Sequence, residues 1–182
     1  MKRTLLVAAL TAILLPLSAC SNSRPARVAD VATHVTDPGF EGSWASNGGR
    51  TAVVKRGSGD SYKVTISDKT GSTTYDVDML DIAGKRFIEI AVNQPDKKSV
   101  PVYVYGRLDI KGNNLTYSRM RNEWLEKTVK GMQGVAYKST GEVQPNSGGV
   151  VVKDVAQMRE LLEKAAADPT AFGEPEQGHR VK

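Results

Sequence analysis

The sequence predicts a mainly β, β-rich α+β protein whose strands form an antiparallel meander and close into a small barrel of about seven or eight strands. Three observations predict this fold. Short runs of β-branched and aromatic residues follow one another between residues 39 and 120, apolar residues alternate within several runs, and clusters of Gly, Asn, Asp and Pro separate them. Such short loops join antiparallel neighbours, because a parallel pair needs a crossover of about a dozen residues or more.

The predicted strands can be placed in order along the chain. The first six cover residues 51–56, 61–67, 74–82, 85–92, 100–110 and 115–121. Alternation is clearest in the second, in which Tyr62, Val64 and Ile66 point to one face of the sheet. In the third, the apolar face changes at residues 80–82, which indicates a β-bulge.

Two short helices interrupt the strands, and the one near the C-terminus has the clearer pattern. Asn122 is the predicted N-cap of the first helix, and Gly131 follows its end. Asp154 is the predicted N-cap of the second, which ends at Asp168-Pro169. Apolar residues at helical spacing give each helix one face to bury. Two more short strands are predicted between the helices, at residues 135–139 and 150–152.

The first twenty residues have the features of an export signal. Lys2 and Arg3 precede an uncharged apolar run over residues 4–17, which is shorter than the roughly 20 residues that a membrane-spanning helix needs. Small residues then lead to Cys20, the single cysteine of the chain. A basic start, a short apolar run and small residues are typical of a secretory signal peptide, here residues 1–19.

The end of this segment, Leu-Ser-Ala-Cys at residues 17–20, resembles the lipobox of bacterial lipoproteins. The resemblance implies cleavage before Cys20, a diacylglycerol on its sulfur and a third acyl chain on the new amino group. Several acyl chains hold a protein stably on a membrane. Ser21 follows, and in the enterobacterial lipoproteins that the segment resembles, a serine here usually allows transport outward. We therefore expect the protein on the periplasmic face of the outer membrane, or on the plasma membrane in a Gram-positive host.

The remaining chain is predicted to consist of a tether, a globular domain and a tail. Residues 20–38 have no sustained periodicity and contain small, polar and proline residues, so a flexible tether is expected after the lipidated cysteine. Residues 39–172 hold the strands and helices. Residues 173–182 are polar and contain Gly and Pro, which predicts a disordered tail. The two histidines of the chain, His34 and His179, therefore fall outside the predicted domain.

The start of the predicted domain, Gly42-Ser43-Trp44, is similar to the G-x-W start of lipocalin-type barrels. That resemblance implies that the tryptophan closes one end of a barrel and that an arginine near the end of the chain stacks over it. Arg119 or Arg121 is the predicted partner, through a cation–π contact worth about 0.5–2 kcal/mol.

The predicted domain contains no recognisable catalytic or metal-binding pattern. A Ser-His-Asp hydrolase needs a histidine beside its nucleophile, and zinc needs several Cys or His ligands, but residues 39–172 contain neither type. Asp76, Asp78 and Asp81 offer oxygens to calcium, and a general-acid pair could be drawn from Asp76, Asp78 and Glu89. We interpret these acids as a solvated strand face. No catalytic residue, metal or cofactor is therefore predicted.

The sequence thus predicts a non-catalytic binding module of the cell envelope, lipid-anchored at Cys20, whose partner is an envelope protein, a lipid or a cell-wall component. Its ligand-binding residues are not identified. A nucleic-acid partner is disfavoured, because the formal net charge of +5 is small and an exported protein rarely meets DNA. Two alternatives stay open. A carrier of a small apolar ligand would be favoured by a cavity above about 300 Å³, and an envelope enzyme by two facing acids in a pocket.

Overall fold

The alternation of the predicted strands produces a closed eight-stranded antiparallel barrel, accompanied in the described chain by three further short strands and two α-helices. The predicted fold class is confirmed. The computed structural model describes residues 27–30, 32–92, 102–132, 136–139, 148–151 and 155–181. The predicted signal peptide, Cys20, the start of the tether and Asp154 lie outside the described residues.

The strands agree closely with the predicted ones where alternation is strong. In chain order they are β1 Thr33–His34, β2 Gly42–Ser46, β3 Thr51–Arg56, β4 Ser61–Asp68, β5 Gly71–Ile82, β6 Lys85–Val92, β7 Val102–Lys111, β8 Asn114–Arg119, β9 Ala136–Ser139, β10 Gly148–Val151 and β11 Glu176–Val181. Strands β2 to β8 form a meander, β11 lies between β8 and β2, and pairing of β5 with β6 completes the ring. Strand β1 extends the sheet beside β5, and β9 and β10 form a separate hairpin.

The inward-facing side chains of the barrel strands form the inner core. Its buried members are Phe40, Trp44, Val54, Tyr62, Val64, Val77, Met79, Ile88 and Leu108. The predicted alternation of β4 is confirmed, because Tyr62 and Val64 are buried in this core while Lys63 between them is exposed. Ring closure leaves none of these eight strands with a free edge.

A second apolar cluster, the outer core, covers the outer surface of β5 and β6. Its buried members are Val28, Ala29, Leu80, Ile82, Phe87, Met120, Leu125, Val129, Leu161, Leu162, Ala165, Ala171 and Phe172. Strand β5 is therefore buried on both faces, which explains the change of face in its sequence. The predicted bulge is wrong, since β5 and β6 pair in unbroken register from Asp76 opposite Ala91 to Ile82 opposite Lys85.

Helices α1, Asn122–Val129, and α2, Val155–Ala167, supply much of the outer core. The N-cap of α1 is Arg121 and not the predicted Asn122, a difference of one residue. The predicted end of α2 is confirmed, because Asp168 accepts a hydrogen bond from the backbone N–H of Thr170 and begins a 3₁₀ turn. Helices in the described parts of the chain are too short or too polar to cross a bilayer.

The predicted disordered tail is wrong, because residues 176–181 form β11, a wall of the barrel. This strand pairs with β2 on one side and with β8 on the other. Its alternation was hidden because its inward-facing residues include Gly178 and Arg180, which carry no apolar side chain. His179 lies on the exposed face of the same strand.

The predicted tether is wrong from residue 27 onward. Val28 and Ala29 are 1% and 5% exposed and belong to the outer core, and β1 pairs with the end of β5. The segment crosses the outside of the barrel and is held at individual residues. It therefore has neither the period of a strand nor that of a helix.

Candidate functional site

One end of the barrel is closed by a stack around Trp44. The indole N–H of Trp44, a residue 3% exposed, donates to the carbonyl oxygen of Phe40 at 2.9 Å. The guanidinium carbon of Arg180 lies 4.5 Å from the centroid of the indole ring. Arg180 also donates to the carbonyl oxygens of Glu41, at 2.6 Å, and of Gly39. One cation thus holds the ring and the entering backbone together, which seals this end.

The tryptophan–arginine contact implied by the G-x-W segment is present, but the predicted partners are wrong. Arg119 and Arg121 are exposed at the end of β8 and before α1, and Arg180 on β11 takes the role. Sequence reasoning missed Arg180 because it placed residues 173–182 outside the fold. The first glycine of the motif, Gly42, has a φ of +125°, and a side chain there would collide with Arg180.

Beyond this seal, the barrel encloses a cavity of about 170 Å³. Aliphatic side chains dominate its wall, among them Val64, Ile66, Val77, Ile88, Ile90 and Leu115. The volume is below the roughly 300 Å³ at which ligand pockets commonly begin. It is close to that of an engineered apolar cavity of about 150 Å³ that takes up benzene. The cavity is therefore large enough for a group the size of one aromatic ring.

The end of the cavity opposite Trp44 faces solvent. There its lining passes to exposed residues of the β2–β3 turn and the start of β11, including Arg50 and Glu176. These two side chains form an ion pair at 2.5 Å and are 50% and 57% exposed. Such exposed pairs contribute little to stability, so they leave a polar rim that can move aside.

Two tyrosines line the cavity, Tyr75 from β5 and Tyr117 from β8. Within the described residues, neither hydroxyl has a hydrogen-bond partner, and neither is fully buried. The ring of Tyr117 lies against Gly106 of β7, where a Cβ atom would overlap it. Burial raises the pKa of Tyr117 to about 12, so its hydroxyl keeps its proton at neutral pH.

A second cluster, the acid clamp, lies on the outside of the barrel. Asp78 and Glu89 are cross-strand neighbours on β5 and β6, and they are 5% and 0% exposed. Arg27 donates to both carboxylates, at 2.8 Å between its Nε and Oε1 of Glu89. Oε2 of Glu89 accepts from the Tyr105 hydroxyl at 2.8 Å and from the backbone N–H of Val28 at 3.0 Å.

The interpretation of the acidic residues of β5 and β6 as a solvated strand face is wrong for Asp78 and Glu89, because both are buried. That interpretation fits Asp76, which is 44% exposed and paired with Lys63, but not Asp78 or Glu89. Both oxygens of Glu89 already accept hydrogen bonds from the N-terminal segment, so the clamp fastens that segment to the barrel. Desolvation, together with the charge of Glu89, holds the pKa of Tyr105 far above its usual value.

One histidine and two of the predicted calcium ligands meet on the outside of the barrel, where His34, Asp76 and Asp78 line a pocket of about 550 Å³. The Nε2–H of His34 donates to the carbonyl oxygen of Ala29 at 2.5 Å, and its Nδ1 lies 3.9 Å from Oδ1 of Asp78. Asp81 accepts from the backbone N–H of Gly84 and so stabilises the β5–β6 turn. In the part of the chain that the structure describes, no three His, Cys, Asp or Glu side chains are arranged to hold a metal ion.

Comparison of the chain with models of known protein families, with characterised proteins and with solved structures gives no match. The sealed end, the apolar cavity, the two unpartnered hydroxyls and the solvent-facing rim together make the barrel interior the candidate binding site.

Proposed function

We propose that the protein is a lipid-anchored, non-catalytic binding module of the cell envelope whose barrel takes up a small apolar molecule. The observation that carries this proposal is the apolar cavity of about 170 Å³, sealed behind Trp44 and bordered by solvent at Arg50 and Glu176. Water in such a space finds few hydrogen-bond partners, because the wall is mostly aliphatic. A bound apolar molecule would return that water to the solvent, so the site favours occupancy.

The chemistry of the cavity wall favours binding over catalysis. Among the described lining residues, the titratable groups are Tyr75, Tyr117 and the exposed Arg50–Glu176 pair. The buried carboxylates of Asp78 and Glu89 project from the other side of the strands and are already bound by Arg27. A general-acid mechanism needs a carboxyl group within reach of the substrate. The carboxylate described at this lining, that of Glu176, is exposed and paired with Arg50.

The second part of the proposal is the membrane anchor at Cys20, supported by the lipobox resemblance of residues 17–20. Arg27, which the acid clamp holds, follows Cys20 by seven residues. A fully extended chain of that length reaches about 25 Å. The barrel would therefore lie close to the leaflet, on the periplasmic face of the outer membrane, or on the plasma membrane of a Gram-positive host.

Binding of toluene tests the cavity. It is measured on the full chain carrying Cys20→Ala, a variant without the lipid anchor that needs no detergent. We expect saturable binding at millimolar concentration or below, measured by titration calorimetry, and a higher unfolding temperature with toluene present. The matched control is Ala52→Leu, because Ala52 lines the cavity and a larger side chain there occupies it. This variant should bind toluene at least tenfold more weakly. Equal binding by both proteins, or none by the first, would contradict the proposal.

The mass of the protein purified from its membrane tests the anchor independently. We expect the mass of a chain cleaved before Cys20 and carrying acyl groups, and we expect Cys20→Ala to move the protein into the soluble fraction. An unmodified mass, or a Cys20→Ala protein that stays on the membrane, would refute the anchor and leave the cavity proposal intact.

A further inference from the structure

We infer that the protein has a second binding site, on the outside of the barrel, for a ligand that carries an aliphatic ammonium group. This site, the outer pocket, is the space of about 550 Å³ bordered by His34, Asp60, Asp76 and Asp78. Its volume falls within the range of roughly 300–1,000 Å³ that is typical of ligand sites. The inference goes beyond the proposed function, because the described residues that line the outer pocket are different from those that line the apolar cavity.

The first step is the floor of the outer pocket, which the strand register builds from outward-facing side chains. Asp76 on β5 lies opposite Lys63 on β4 and opposite Ala91 on β6. Directly opposed residues point to the same face of a sheet, and the exposed Lys63 marks it as the outer face. Lys63 and Asp76 form an ion pair, which balances their charges. Ala91 carries only a methyl group, so the floor is recessed beside this pair.

The second step is the charge of the outer pocket. Arg27 provides one positive charge for two carboxylates, those of Asp78 and Glu89. Asp60, an exposed residue of the β3–β4 turn, has no ion pair or hydrogen bond within the described chain. Lys55, an exposed cation of β3, lies outside the lining. Among the described groups of the pocket and the acid clamp, carboxylates therefore outnumber cations, and the pocket attracts positive charge.

The third step is a pair of acceptor atoms that face each other at the wall of the outer pocket. Oδ1 of Asp78 lies 3.9 Å from Nδ1 of His34. The Nε2–H of His34 donates to the carbonyl oxygen of Ala29, so Nδ1 of the neutral ring is an acceptor, and it is buried without a partner. Oδ1 of Asp78 accepts no hydrogen bond within the described chain, but it is not fully buried, so a ligand can reach it. A cation beside Oδ1 therefore relieves the repulsion between the two acceptors.

An aliphatic ammonium group fits these three observations together. It supplies the positive charge that the outer pocket lacks, and it offers three N–H donors to the carboxylate oxygens of the lining. An anionic ligand would instead face uncompensated carboxylate charge. A metal ion fits less well, because no three His, Cys, Asp or Glu side chains of the described chain are arranged to hold one.

The test titrates three probes into the full chain carrying Cys20→Ala at constant ionic strength. Cadaverine is a small diamine, Nα-acetyl-lysine methylamide represents a lysine side chain of a peptide, and 1,5-pentanediol replaces the ammonium groups of cadaverine by hydroxyls. We expect calorimetry to show saturable binding of at least one ammonium probe at about millimolar concentration or below, and none of the diol. Whether cadaverine or the lysine derivative binds more tightly identifies the source of the ammonium group.

Two variants and a matched control locate the binding. Asp78→Asn should weaken the ammonium probe by at least about tenfold, and Asp60→Asn by about two- to fivefold, because Asp60 is exposed to solvent. Asp109→Asn removes an acid that is 50% exposed and lies outside the outer pocket, so it should leave binding unchanged. Thermal unfolding shows whether each variant is folded, and Asp60→Asn breaks no contact, so it decides the test if Asp78→Asn does not fold.

The outcomes separate this inference from the proposed function. No binding of either ammonium probe, equally tight binding of the diol, or equal effects of Asp60→Asn and Asp109→Asn would overturn the inference. Displacement of toluene by the ammonium probe would also overturn it, because the probe would then occupy the barrel interior. Failure of the outer pocket leaves toluene binding intact, and failure of the toluene experiment leaves the outer pocket intact.

Discussion

The inner and outer cores are built on opposite faces of the same strands, yet the inner core contains a cavity, whereas the outer core is covered by two helices. On β5, Met79 faces the inner core and Leu80 the outer core, and both are 0% exposed. The inner core leaves about 170 Å³ unfilled. In the outer core, α2 brings Leu162 and Ala165 to 0% exposure. Similar apolar residues therefore give different packing on the two sides of one sheet.

Side chains inside a closed barrel and side chains beneath a helix pack under different geometric limits. Strand number and stagger set the radius of a closed barrel, so its wall cannot contract onto small side chains such as Ala52. A helix that rests on a sheet has no such constraint, and it approaches until its small residues touch the strands. The acid clamp adds the second contrast, because Asp78 and Glu89, the buried charged residues of the described chain, both lie on the outer side.

The largest expected effect comes from removing β11. A chain that ends at Gly173 loses the strand between β2 and β8 and also loses Arg180, so the ring cannot close. We expect no cooperative urea unfolding, monitored by circular dichroism. Val181→Thr, on the same strand at a site 36% exposed, is the control and should change little. A truncated chain with the parent's transition would mean that the inner core forms without ring closure.

The next effect is expected at the acid clamp. Glu89→Ala leaves Arg27, the Tyr105 hydroxyl and backbone N–H groups without their carboxylate, which should lower the free energy of unfolding by about 3–5 kcal/mol. Asp76→Ala, on the neighbouring strand at a half-exposed ion pair, should cost less than about 1 kcal/mol. Urea titration measures both. Equal effects would show that the clamp is no more than surface charge.

Two matched alanine substitutions test the packing difference directly. Ala165→Leu enlarges a side chain that is 0% exposed in the outer core, and we expect a loss of about 1–3 kcal/mol in the free energy of unfolding. Ala52→Leu enlarges one that borders the cavity, so it should leave stability unchanged or raise it by up to about 1 kcal/mol. Similar losses in both variants would show that the inner core has no usable space.

The smallest effect concerns one partly buried tyrosine of each core, Tyr105 of the outer core and Tyr117 of the inner core. At pH 7, Tyr105→Phe should cost about 1–2 kcal/mol, because it removes a hydrogen bond to Glu89, whereas Tyr117→Phe should cost almost nothing.

A second prediction for Tyr117 concerns how the free energy of unfolding changes at alkaline pH. Since the folded-state pKa of Tyr117 is raised from 10.0 to about 12, the folded state retains a proton that the unfolded chain releases. Stability that is complete below pH 10 is therefore lost as pH rises toward 12, by at most about 1.4 kcal/mol per pH unit for one group. Urea titrations at pH 9 to 11 should show a shallower decline in Tyr117→Phe. An identical decline would indicate that Tyr117 is not desolvated.

Local patterns determined the strands and helices whose signals repeat along the chain. Strands β3 and β6 match the predicted ranges, and β4 differs by one residue. Their side chains alternate because each strand has one face in the inner core. Short turn sequences between them then required antiparallel neighbours, so the meander followed from sequence alone.

The flanking segments belong to the fold because of long-range contacts, which are visible only in the tertiary structure. Arg27 and Arg180 are single charged residues in stretches without periodicity, and their partners Glu89 and Trp44 lie far away in the sequence. A contact between one residue and a distant one produces no local repeat that a pattern could reveal. The cavity likewise depends on ring closure, which sets a radius that no single strand's sequence contains.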